Sequence, residues 1–130
     1  MTDPTLQSAL SAAPSPATGA PAAPPPPART RIGVGLVSVG WMGRLHTRAY
    51  RAAREHYPEL PVDVRLVAAA DPDDGARAHA RDVLGYARTT AAYREVIADP
   101  EVDVVSICAP NALHREVALA AAEAGKPFWI

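Results

Sequence analysis

From Arg31 onward, short runs of β-branched residues alternate with stretches whose apolar positions recur every three to four residues. The first run, "RIGVGLV" (31–37), has the unbroken apolar character of a strand covered on both faces. Met42, Leu45, Ala49, Ala52 and Ala53 then fall at helical spacing, which predicts one helix burying that face, ended by Pro58 and Pro61. "VDVRLVAAA" (62–70) reads as a second strand. "DPDDGARAHARDVLG" follows with the grammar of a helix: Asp71 to cap, Pro72 in the first turn, Asp73 and Asp74 at the positive end of the helix dipole, and Gly85 to stop it. Residues 87–89 predict a short third strand. Thr90 is placed to cap a brief helix through Tyr93, Val96 and Ile97, which Asp99 and Pro100 end. "VDVVSICA" (102–109) is the clearest buried strand. Asn111 is expected to cap a helix with Leu113, Val117, Ala121 and Ala124 on one face, closed by Gly125 and Pro127. "PFWI" opens a fifth strand, with Trp129 expected in the core. Strands alternating with helices in this order imply an α/β fold with a parallel sheet and right-handed crossovers.

Composition separates the first 28 residues from the rest. They hold eight of the fourteen prolines, including "PPPP" at 24–27, with Ala and Ser filling most gaps. Such a segment buries too little apolar surface to offset chain entropy, so residues 1–30 are expected to be a disordered, solvated tail. A ligand for a proline-binding module is the alternative. The whole chain has 130 residues, a net charge of -1 and 48% hydrophobic residues, the profile of one soluble domain. Its charge gives no footprint for nucleic acid or an anionic membrane. Cys108 is the only cysteine, which excludes an internal disulfide and suggests a reducing compartment, with the cytoplasm expected.

The candidate chemistry begins at "SVGWMG" (38–43), between the first strand and the first helix. In a dinucleotide-binding turn the first glycine makes the tight bend, the second lets the backbone approach a pyrophosphate, and the third lets the helix pack on the strand. Gly40 and Gly43 occupy the second and third positions; Ser38 occupies the first. A serine forced to positive φ there would cost about 1–2 kcal/mol. Asp71, ending the second strand, is placed to bind ribose hydroxyls and repel a 2′-phosphate, or merely to cap the next helix. NAD is therefore favoured, while Arg77 keeps NADP open. "APNALH" after the fourth strand borders the same crevice, because ligands of open parallel sheets lie at the strands' carboxyl ends where strand order reverses. His114 in that segment is a local packing or capping group rather than an acid–base catalyst, and His46 and His79 read as surface or packing groups. Trp41 is placed over the cofactor or against a neighbouring domain. Cys108 reads as a structural thiol with no paired base. No metal-ligand spacing is present.

Taken together, "RIGVGLVSVGWMGRLHTRAYR", "LVAAADPD" and "AAYREVIADPEVDVVSICAPNALHREVALAAAEAGKPFWI" resemble the N-terminal domain of the Gfo/Idh/MocA oxidoreductases, over residues 31–130. The resemblance implies a Rossmann-type sheet of order 3-2-1-4-5 and NAD(P)-dependent oxidation or reduction of a sugar, inositol or related polyol. It implies that Ser38, Val39, Gly40, Trp41 and Met42 cradle the pyrophosphate, with Gly43 closing the loop. Asp71 would hold the adenosine ribose, and Ala109, Pro110, Asn111 and His114 would line the cofactor cleft. Ser38 departs from the family's usual glycine. The family's catalytic lysine lies in a Glu-Lys-Pro motif that would follow Ile130, and a C-terminal domain there builds the substrate pocket and the oligomer interface. Lys126 matches the helix exit before that motif. The expectation is a nucleotide-binding part, inactive alone and without catalytic residues of its own. The alternatives are a non-catalytic dinucleotide-binding module or a truncated gene product.

Overall fold

The computed structural model describes residues 24–25 and 28–130. Most of the expected tail lies outside the described residues, but its last positions do not fit that expectation. The Arg29 guanidinium bonds Asp63 and the Leu60 and Val62 carbonyls, and a strand begins at Thr30.

Five strands form one parallel sheet: β1 (Thr30–Val37), β2 (Val62–Ala70), β3 (Arg88–Thr90), β4 (Val104–Ile107) and β5 (Phe128–Trp129), in the order β3-β2-β1-β4-β5. The helices are α1 (Trp41–His56), α2 (Asp74–His79, continued by a wide π-helical turn Ala80–Leu84), α3 (Tyr93–Ala98) and α4 (Asn111–Glu123). Alternation along the strands sends side chains to two cores. Val37, Ala70, Val105 and Ile107 meet α3 and α4 through Val96, Ile97, Val117 and Ala121. Leu36 and Ala69 meet Ala80, Leu84 and Tyr86 on the opposite face. Burial on both faces is why the strands read as continuous apolar runs.

α1 departs from the expected phase. Its buried residues are Gly43 and Thr47, while Met42, Leu45 and Ala49 are exposed. The cause is steric. A Cβ at Gly43 would stand 2.2 Å from the Ser38 carbonyl oxygen and 3.3 Å from Leu36 Cδ2. The helix can approach the strand only with its glycine inward, and that fixes the rotation of every later residue. Thr47, one turn on, donates to the Gly43 carbonyl at 2.7 Å and lies 3.1 Å from the Tyr86 hydroxyl.

Three caps also differ from expectation: Ala92, not Thr90, stands at the N-cap of α3, and the Thr90 hydroxyl instead accepts from Ala92 N–H at 3.1 Å. Asp73, not Asp71, caps α2, accepting from Ala76 N–H at 2.7 Å. Pro110, not Asn111, stands at the N-cap of α4, and Asn111 is its first, exposed residue. Gly85 and Gly125 take φ of 87° and 69° and stop their helices as expected. Trp129 is 64% exposed rather than core, beside a hollow shared with His46, Ala49, Tyr50 and Val104. Among the described residues no helix is long and apolar enough to cross a membrane.

Candidate functional site

Parallel strands bring their carboxyl ends to one rim, and strand order reverses between β1 and β4. At that point a crevice of about 300 Å³ opens. Ser38, Asp71, Ala109 and Pro110, all anticipated from the sequence, line it together with Tyr93 and Leu113. The last two were read only as helix-face residues. The signal that could have found them is positional: each lies in the first turn of the helix that leaves the rim after β3 or β4.

Ser38 makes the turn out of β1 with φ of 76°, the one positive φ outside glycine among the described residues. Its N–H donates to the Ala70 carbonyl at 2.8 Å, which locks the loop to the end of β2. Gly40 follows as the N-cap of α1 with no side-chain cap bond. The first α1 bond recorded from this cap runs from Arg44 N–H to the Gly40 carbonyl, so the amides of Trp41, Met42 and Gly43 precede the helical ladder. A Cβ on Gly40 would meet nothing nearer than Ser38 Oγ at 3.9 Å. The protein's own packing therefore makes no demand for glycine at position 40, whereas at position 43 it does. A bare backbone beside free amides and a positive helix end is the requirement of an anion approaching closely.

Asp71 joins this loop to the next. Val39 N–H donates to its Oδ2 at 2.8 Å and Asp73 N–H to its Oδ1 at 2.9 Å. Each carboxylate oxygen keeps a further lone pair. Val39 itself has its side chain wholly in the core. Trp41 is 74% exposed on the first turn of α1. His114 reaches back from α4, its Nε2 donating to the Ala109 carbonyl at 2.7 Å, and so braces the loop after β4. Tyr93 donates its hydroxyl to Glu116, tying α3 to α4 beside the crevice.

Cys108 has a neighbour that its sequence context does not reveal. His46 Nδ1 stands 3.3 Å from its Sγ and 2.8 Å from Ser106 Oγ. Burial pushes the thiol's pKa up, against a smaller opposite pull from Ser106, which keeps it protonated and structural in character. Among the described residues no group of His, Cys, Asp or Glu is arranged to hold a metal ion.

The family model for Gfo/Idh/MocA, described as an oxidoreductase family with an NAD-binding Rossmann fold, matches residues 32–129. Levoglucosan dehydrogenase of Pseudarthrobacter phenanthrenivorans is 43% identical over 98 residues, covering 73% of this chain and 24% of that protein. Inositol 2-dehydrogenase 2 of Saccharopolyspora erythraea is 32% identical over 96 residues, covering 74% and 26% respectively. A solved structure of levoglucosan dehydrogenase in complex with NADH superposes with a TM-score of 0.72 at 36% identity, covering 76% of this chain and 27% of that one. The chain thus spans about a quarter of the length of these relatives.

Proposed function

The chain belongs to the Gfo/Idh/MocA oxidoreductases, matching their NAD-binding Rossmann domain, and from that premise we propose that it seats NAD for a dehydrogenase acting on a sugar, an inositol or a related polyol. The observation that carries the reading is the crevice at the strand-order reversal, where Ser38, Asp71, Ala109 and Pro110 converge. The amides of Trp41, Met42 and Gly43 hold the pyrophosphate, and the missing side chain of Gly40 admits it. Asp71 accepts from the adenosine ribose hydroxyls with the lone pairs left over from its two backbone bonds. Pro110 and Asn111 border the nicotinamide side, on a loop that His114 holds in place. When bound, NAD supplies a hydride acceptor.

The substrate class is supported by the relatives' names, dehydrogenases of levoglucosan and of inositol. None of the described residues has the position and partners of a proton-transfer group at this crevice. His114 is engaged with a backbone carbonyl, and Cys108 is held as a thiol. The 130-residue chain is therefore expected to bind NAD without oxidising a polyol. Calorimetric titration with NADH tests the first half, and saturable one-site binding is the expected result. Absence of binding to folded protein overturns the reading. Incubation with NAD and inositol or levoglucosan tests the second half, with NADH formation no faster than a protein-free control.

A further inference from the structure

Arg77 stands on α2, six residues beyond Asp71, and in Rossmann proteins that use NADP an arginine near the acidic position accommodates the 2′-phosphate. Here that guanidinium is committed elsewhere. Nη1 donates to the Asp71 carbonyl at 2.7 Å and to the Pro72 carbonyl at 2.8 Å, and Nη2 pairs with the Asp74 carboxylate. Two carbonyls thus take the protons of one nitrogen, and an anion neutralises the other. The arrangement leaves Arg77 at 21% side-chain exposure while Asp74 stands 92% exposed. A dianionic phosphate approaching this arginine would have to displace Asp74 or lie beside it, with Asp71 also near.

We propose that Asp74 is a positioning residue for cofactor choice, latching Arg77 against the end of β2 so that the cation is withheld from a 2′-phosphate and NADP is rejected. The proposal rests on the NAD reading above. Two elements of selectivity then operate together: Asp71 repels the phosphate, and Asp74 removes the charge that could compensate.

The test titrates NADH and NADPH separately into the parent chain and into Asp74→Asn, Asp74→Glu and Asp74→Asn/Arg77→Met, followed by nicotinamide fluorescence, with circular dichroism to confirm folding. Asp74→Asn is expected to raise NADPH affinity relative to NADH about tenfold, the worth of one charge-assisted hydrogen bond. Asp74→Glu should keep the parental ratio, and Arg77→Met in the Asp74→Asn background should abolish the gain. An unchanged ratio in Asp74→Asn, or a gain that survives loss of Arg77, overturns the latch while leaving the NAD reading intact. Failure of NADH to bind the folded parent chain overturns both.

Discussion

Ser38 carries the local strain of the site. Its φ of 76° lies where a side chain costs about 1–2 kcal/mol, and two neighbouring bonds, Ser38 N–H to Ala70 and Val39 N–H to Asp71, hold it there. Ser38→Gly removes that strain but adds freedom to the unfolded chain, worth about 0.5–1 kcal/mol in the other direction. The net expectation is a stabilisation of up to about 1.5 kcal/mol, read from the midpoint of urea unfolding. A loss of stability would mean that the hydroxyl contributes more than the turn costs. Cys108 and His46 illustrate a different point at the same scale. They meet at 3.3 Å although 62 positions separate them, and no local pattern in the sequence encodes such a pairing.

At the scale of elements, the contact of α1 with β1 is decided at Gly43. Alanine is the better helix former by about 1 kcal/mol. A Cβ at 2.2 Å from the Ser38 carbonyl oxygen is nevertheless intolerable, because the obstacle is backbone and not the tip of a side chain. Gly43→Ala is expected to destabilise by about 1–3 kcal/mol in urea unfolding, since overpacking outweighs propensity. The same contact explains which parts of the structure were legible. The strands were, because burial on both faces leaves an unmistakable apolar run, and β2 matches its expected span of Val62–Ala70. Helix ends at Gly85 and Gly125 were legible because only a left-handed residue closes them cheaply. The phase of α1 was not. Apolar spacing suggested the stripe through Met42, Leu45 and Ala49, whereas a close approach at one glycine turned the helix to bury Thr47. The capping role of Asp71 was misread for a related reason: three aspartates fall within "DPDD", and only the three-dimensional path of the loop assigns the cap to Asp73.

For the whole molecule, stability is coupled to pH on the alkaline side through Tyr86. Its ring is buried, and its hydroxyl has Thr47 as partner. Burial drives its pKa well above the ordinary tyrosine value, against a smaller opposite pull from the Thr47 bond. Below pH ~10 both folded and unfolded chains keep this proton, so the contribution is intact there. As pH rises past ~10 the unfolded chain releases the proton and the folded chain does not, so the folded state loses ground. Urea midpoints are expected to fall with rising pH in that range, and Tyr86→Phe should flatten the decline. An identical decline in the variant would assign it to other groups.

The bridge made by Asp71 bears on how such a chain can change over time. One carboxylate fastens the turn after β1 to the turn after β2, regions more than thirty positions apart in the gene. A substitution at codon 71 therefore disturbs both turns at once. Both donors are backbone amides, so any residue but proline at positions 39 and 73 can keep the bridge, and the constraint falls on the carboxylate at position 71 alone.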